Sequence, residues 1–234
     1  MSKSLALSLR NVGAFYWRQA GYLRKERFWA LNDISFDLHH GESLGVIGRN
    51  GAGKSTLLQV LAGILRPDRG ELVNHGVQTA LLSLQIGFVP YLSGRQNALL
   101  SGMLIGLNRW EVIEKMGDIK AFSELGEFFD QPINTYSSGM KARLGFSVAF
   151  QLDPDVLLID EVLGVGDSDF RRKSSSVMRN KIRSDKTIVL VSHSAETIRQ
   201  LCDRAVWIED GVTRAYGDTS DVLSFYEEQL TTKS

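Results

Sequence analysis

The sequence predicts an α/β fold organised around a phosphate-binding loop. Three observations predict it. Gly48-Arg49-Asn50-Gly51-Ala52-Gly53-Lys54-Ser55 has the spacing G-x-x-x-x-G-K-S, the pattern of a loop that cradles phosphate. The loop lies between an apolar run, Leu44 to Ile47, and a segment from Thr56 to Leu61 with apolar residues at helical spacing. Finally, Val156-Leu157-Leu158-Ile159 and Lys186-Thr187-Ile188-Val189-Leu190-Val191 are near-continuous apolar runs, as strands buried on both faces are.

The loop's residue types follow from its task. Gly48, Gly51 and Gly53 let the backbone turn tightly, so that successive N–H groups, from Asn50 and Ala52 through Thr56, can point at phosphate oxygens. The helix that follows adds a partial positive charge at its N-terminus. Lys54 supplies a full charge, and Ser55 offers a hydroxyl to Mg²⁺.

Composition bounds the rest. The 234 residues suffice for one large domain, or a domain with a subdomain. Lys plus Arg and Asp plus Glu are 27 each, so net charge gives no argument for a nucleic-acid partner, and none is expected. Cys202 is the only cysteine, so no intramolecular disulfide can form and a reducing compartment is expected. Met1-Ser2-Lys3-Ser4-Leu5 lacks the apolar core of a signal peptide. No run reaches the roughly 18 apolar residues of a membrane span. A soluble protein is expected, with any membrane role arising through a partner.

In chain order, Leu5, Leu7 and Leu9 alternate as a first strand, and Ile34, Phe36 and Leu38 as a second. Between them lies an aromatic and basic segment, Phe15-Tyr16-Trp17 to Phe28-Trp29, carrying Arg18, Arg24, Lys25 and Arg27 against Glu26 alone. His39-His40-Gly41-Glu42 reads as a turn with both histidines solvated. The helix after the loop ends near Leu65, before Arg66-Pro67-Asp68-Arg69-Gly70. Short strands follow at Glu71–Val73 and Val77–Leu82. From about Arg95 to Phe129 the pattern is helical, with breaks near Gly106 and Gly117, and contains no strand. This block reads as a separate helical subdomain, closed by Pro132. Ser137 and Ser138 are N-cap residues for a helix over Lys141–Leu152. Ala195–Cys202 is a helix and Ala205–Ile208 a strand. Asp210-Gly211 marks a hairpin to a strand at Val212–Tyr216, and Asp218 to Gln229 a last helix.

Both apolar runs end in groups suited to chemistry. Ligands of parallel α/β sheets sit beyond the carboxyl ends of the strands. Asp160, at the end of the first run, is placed to hold Mg²⁺, and Glu161 to polarise an attacking water. His193, at the end of the second, is placed to hydrogen-bond the γ-phosphate or that water.

With these motifs in order, nearly the whole chain resembles the ATP-binding subunit of ABC transporters. Tyr136-Ser137-Ser138-Gly139-Met140 stands where that family has its LSGGQ-type signature, Val156–Glu161 matches its second nucleotide motif, Gly166-Asp167 its D-loop and His193 its switch histidine. Ser93-Gly94-Arg95-Gln96-Asn97, Tyr136–Leu144 and Asp160–Asp167 look like the subfamily that exports O-antigen, capsule and teichoic acid. Ser138 departs from the signature's first glycine, and Met140 from its last residue.

The resemblance implies a P-loop NTPase (RecA-like) core with an N-terminal antiparallel β subdomain and an inserted α-helical signature subdomain. Residues 1–90 and 154–234 would form the first part and 91–153 the second. It implies ATP and Mg²⁺ as ligands, with ATP sandwiched between two copies of the chain. Ser137, Ser138, Gly139 and Asp167 would then serve the partner copy's nucleotide. Tyr16 stands where the family stacks an aromatic on adenine, with Phe15, Trp17 and Phe28 as alternatives. Gln85 is the nearest match to the Q-loop residue that reaches the metal, with Ser83 and Leu84 as alternatives. A polytopic permease would be the membrane partner, acting on a lipid-linked glycan, with this chain peripheral on the cytoplasmic face of the bacterial inner membrane. No C-terminal carbohydrate-binding domain is expected in a chain ending at Ser234. The segment from Trp17 to Phe28 suits a membrane surface, an anionic lipid-phosphate headgroup or the permease's cytoplasmic helices; a solvated loop is the plain alternative.

Overall fold

The structure, a computed structural model, describes residues 4–19, 24–82, 88–104, 107–160 and 167–232. Its strands are β1 (Leu5–Gln19), β2 (Lys25–His39), β3 (Ser43–Ile47), β4 (Arg69–Asn74), β5 (Thr79–Leu82), β6 (Val156–Asp160), β7 (Thr187–Val191), β8 (Arg204–Glu209) and β9 (Val212–Asp218). Its α-helices are α1 (Lys54–Leu61), α2 (Gly94–Leu104), α3 (Arg109–Ser123), α4 (Ser138–Gln151), α5 (Ser168–Ile182), α6 (Ala195–Leu201) and α7 (Thr219–Thr232). Two compact units result, one comprising Met1–Val77, Leu158–Glu161 and Ile182–Ser234, the other Gln78–Leu157 and Val162–Lys181.

In the first unit the sheet runs β4-β1-β2-β9-β8-β3-β7, with the end of β6 beside β7. The centre is parallel: β3 pairs with β7 and with β8 in that sense. Every residue of β3 and β7 is buried, which accounts for their unbroken apolar sequences. Gly45 lets α6 close on β3, since a Cβ there would lie 2.4 Å from Ile198 Cγ2. The other edge is antiparallel, with β1 paired to both β2 and β4.

Here the structure extends what alternation alone indicates. β1 and β2 are each 15 residues long, and their pairing continues through Tyr16–Phe28, Trp17–Arg27 and Arg18–Glu26 to Gln19–Lys25. The aromatic and basic segment is therefore largely paired strand. Aromatic residues favour strands because they pack across them; the Phe15 and Trp29 rings lie 5.3 Å apart. A second difference is local. His39 is not simply a solvated turn residue: its backbone N–H donates to Glu42 Oε2 and its ring Nδ1 lies 2.9 Å from the same oxygen. Glu42 is buried, so a nearby polar partner limits the cost of its desolvation.

In the second unit, α2, α3 and α4 enclose a core that includes Ala98, Val112, Ile119, Phe129 and Leu144. α3 begins with a capping box: Asn108 accepts from the N–H groups of Trp110 and Glu111, and the Glu111 carboxylate accepts from the Asn108 N–H. Helix α5 escaped the sequence reading for a physical reason. Its buried residues, Phe170, Ser174, Met178 and Ile182, form a stripe one residue wide, with a serine in it, on a strongly charged segment. Phe170 nevertheless joins Phe122, Phe146 and Phe150 in a cluster of rings, with neighbouring centroids 5.3 to 6.0 Å apart. Lys173, Lys181 and Arg143 lie over the Phe122, Phe150 and Phe170 rings at 4.4, 4.6 and 5.2 Å.

No helix among the described residues is long and apolar enough to cross a membrane. Burial pushes the Cys202 thiol up to about 12, so the native protein should resist a thiol-specific reagent at pH 8 until denaturant is added. Phe146 is fully buried in the ring cluster. Phe146→Ala should cost about 3–5 kcal/mol in chemical denaturation.

Candidate functional site

The phosphate loop leaves β3 at Ile47 and enters α1 at Lys54. Its glycines meet different demands. Gly51 and Gly53 have φ of 83° and 102°, in the region that L side chains avoid. At Gly48 the demand is space, because a Cβ would lie 2.2 Å from the Ile208 carbonyl oxygen. A Cβ on Gly53 would lie 2.4 Å from the Ala30 carbonyl oxygen.

The loop is held from outside as well. In the turn between β8 and β9, Gly211 donates its N–H to the Ala52 carbonyl at 3.2 Å. Its own carbonyl accepts from the N–H groups of Asn32 and Asp33 at 2.7 and 3.0 Å. One turn thus ties the loop to β2.

Lys54 donates its ammonium to the carbonyls of Gly48 and Arg49 at 2.7 and 3.0 Å. Burial lowers its pKa from the usual lysine range, and the nearby Asp160 carboxylate partly restores it. Ser55 Oγ donates to Asp160 Oδ2 at 3.2 Å. Two of the three residues expected to serve Mg²⁺ are thus brought together from positions 105 apart. A hydroxyl and a carboxylate are hard oxygen donors that suit this ion, which keeps its other positions for water and phosphate. Gln85 and Glu161, with Ser83 and Leu84, lie outside the described residues.

Tyr16, Phe28, Ala30, Asn50, Gly51, Gly53, Lys54, Ser55, Thr56 and Asp160 line one cavity of about 330 Å³. Tyr16 and Phe28 are directly opposite on β1 and β2. The Tyr16 hydroxyl donates to Gln59 Oε1 on α1 at 3.1 Å, fixing the ring relative to the phosphate loop. Gln59 carried no signal of its own, as a polar residue in a mostly apolar helix. Phe15 and Trp17 do not line this cavity; their rings lie 5.5 Å apart and Phe15 packs on Trp29. His193 is exposed just past β7, in an adjoining cavity with Gly48, Arg49, Asn50 and Tyr226.

The second unit holds a cavity of about 340 Å³ lined by Glu124, Leu125, Phe128, Ser137, Gly139, Met140, Arg143 and Asp167. Ser137 is the N-cap of α4 and accepts from the Met140 N–H at 3.2 Å. Ser138, the first residue of α4, is exposed and does not line the cavity. Arg143 pairs with Asp167 and reaches Glu124 at 3.7 Å. The Phe170 N–H and Arg143 together hold the Asp167 carboxyl below the usual range. Arg143 therefore ties the signature helix to the residue before α5. The motif contained it, but only the fold reveals its partner.

The packing around Gly53 gives a direct test. Gly53→Ala should displace the loop and weaken nucleotide binding about tenfold or more in titration, with a lowered melting temperature.

Residues 31–164 match the family model described as ABC transporter. The chain is 45% identical over 208 residues to the O-antigen export system ATP-binding protein RfbB of Klebsiella pneumoniae, covering 89% of this chain and 85% of that one. It is 49% identical over 201 residues to the RfbB of Myxococcus xanthus, covering 86% of this chain and 46% of that protein. It is 46% identical over 201 residues to the teichoic acids export ATP-binding protein TagH of Lactococcus lactis, covering 86% and 43%. The chain thus spans less than half of the last two relatives. Among solved structures, the fold matches an ATP binding subunit of an ABC transporter with TM-score 0.74, 22% identity and coverage of 95% and 93%. It also matches the dimeric ATP-binding cassette MJ0796 bound to ADP and Pi, with TM-score 0.72, 21% identity and coverage of 91% and 98%. With its phosphate loop, strand-end carboxylate and capped signature helix in the family's order, the chain belongs to the ABC transporter family as an ATP-binding cassette.

Proposed function

We propose that this chain is the ATP-hydrolysing subunit of an exporter that moves a surface polysaccharide, carried on a lipid, across the cytoplasmic membrane. The observation that carries the hydrolytic reading is the Ser55–Asp160 contact at 3.2 Å, beside Lys54 and at the carboxyl ends of buried strands. The glycan reading is supported by relatives named for O-antigen and teichoic acid export.

The residues divide the work by charge. Backbone N–H groups from Gly48 to Thr56 and the Lys54 ammonium meet the phosphates. Ser55 and Asp160 would hold Mg²⁺, together with Gln85, and the bound ion would supply positive charge to the phosphates. Glu161 orients and polarises the attacking water, and His193 steadies the γ-phosphate as charge develops. Tyr16 stacks on adenine with Phe28 beside it, a contact of about 1–3 kcal/mol per base.

Ser137, Ser138, Gly139 and Asp167 act on the nucleotide of a second copy, where the N-terminus of α4 offers its amides to the γ-phosphate. ATP then joins two copies, and hydrolysis releases them. The helical block at residues 95–130 docks a polytopic permease. The chain sits peripherally on the cytoplasmic face of the membrane and meets the glycan only through that permease, with no nucleic-acid partner.

Two measurements test this reading. Glu161→Gln should lower ATP turnover by about 100-fold or more, while ATP still drives dimerisation in size-exclusion chromatography. Normal turnover in that variant removes Glu161 from its role. Loss of the gene should abolish the surface polysaccharide, and an unchanged cell surface would rule out the export assignment.

A further inference from the structure

The distal halves of β1 and β2 form a two-stranded ribbon. β4 pairs with β1 only from Leu7 to Gly13, and β9 meets β2 at Asp33. Beyond those points, Phe15–Gln19 and Lys25–Trp29 pair only with each other among the described residues. A two-stranded ribbon is marginal in water on its own. This one also keeps large aromatic residues exposed, with Trp17 at 60% and Phe28 at 45%.

Strand alternation and cross-strand register sort the ribbon into two faces. One carries Tyr16, Arg18, Glu26 and Phe28. Tyr16 and Phe28 line the phosphate-loop cavity, and Arg18 is paired with Glu26. The other carries Phe15, Trp17, Gln19, Lys25, Arg27 and Trp29. It has two cations and no acid. Arg27 lies over the Phe15 and Trp17 rings at 4.9 and 5.6 Å, and no carboxylate among the described residues pairs with Arg27 or Lys25. Arg69 adds a third cation over Trp29 at 5.0 Å.

We infer that this second face is a contact for the anionic surface of a lipid bilayer. Tryptophan settles at the headgroup level, where its ring is half in apolar surroundings. Lysine and arginine beside it gain from lipid phosphate and from the negative surface potential. The face is one side of a two-stranded ribbon, so a broad anionic surface can meet its tryptophan and cations together. Its rings are packed on one another and under Arg27 rather than splayed, which does not suit stacking on bases. The inference rests on the transport reading only for the presence of a bilayer beside the chain.

The test is co-sedimentation of the full chain with vesicles of phosphatidylcholine alone, and of phosphatidylcholine with about one third phosphatidylglycerol. The chain should bind the anionic vesicles, and less well as salt rises. Lys25→Gln with Arg27→Gln should weaken binding roughly 25-fold, at about fivefold per cation. Trp17→Ala should weaken it too, whereas Arg172→Gln on α5 should not. Melting temperature and ATP turnover of the variants separate a lost contact from a misfolded chain. Equal binding to neutral vesicles, no binding to anionic ones, or indifference to the ribbon substitutions overturns the inference. So does binding of single-stranded RNA in place of vesicles. A wild-type chain that hydrolyses ATP but ignores anionic vesicles sinks this inference and leaves the transport reading standing; one that binds vesicles without hydrolysing ATP does the reverse.

Discussion

The site depends on one backbone contact, the seating of Gly211 between the phosphate loop and β2. Its N–H reaches Ala52 and its carbonyl receives Asn32 and Asp33. A Cβ at Gly211 would lie 2.8 Å from the Ala30 carbonyl oxygen, and its φ is 70°. A hydrogen-bonded glycine thus sets the distance between three segments that the sequence scatters: residues 30–33, the loop at 48–55 and the turn at 210–211. An anion-binding loop must present its N–H groups without rearranging, because reorganisation would consume the binding energy they offer. The contact supplies that rigidity, and Gly48 against Ile208 and Gly53 against Ala30 close the remaining space.

The same economy of backbone explains the polar centre. Ser55 lies in the first turn of α1 and Asp160 ends β6, and they meet because the strand leading into α1 and β6 both end on the same side of the sheet. Neither residue would be notable without that edge. Lys54 lies buried beside them with two carbonyl partners. Its ammonium loses hydration while those carbonyls and the Asp160 charge compensate. In the second unit Arg143 plays a comparable part. It lies over Phe170 and joins Asp167 to the helix capped by Ser137.

The ribbon formed by β1 and β2 carries two chemistries back to back because a strand alternates its side chains. Tyr16 and Phe28 belong to the cavity, while Trp17 and Arg27 belong to the opposite face. The sequence displayed the aromatic and basic residues but not this division. Alternation cannot be assigned to faces until the register is known, and a slip of one residue would exchange them. Gln59 was equally silent, since its hydrogen bond to Tyr16 spans 43 positions.

The phosphate-loop pattern, the buried strands at 156–159 and 187–191, a serine cap at 137 or 138 and the family to which the order of motifs belongs were all legible in the sequence. These are local or periodic signals, written in spacing and in runs of apolar residues. Four further matters belong to tertiary structure: that Ser55 and Asp160 touch, that Gly211 braces the loop, that Arg143 holds Asp167, and which ribbon aromatics line the phosphate-loop cavity. Tertiary structure also decided α5, whose narrow buried stripe is hidden among charges. Each of these rests on contacts between residues far apart in the chain, or on a helix stabilised by its neighbours, and local pattern carries no record of either.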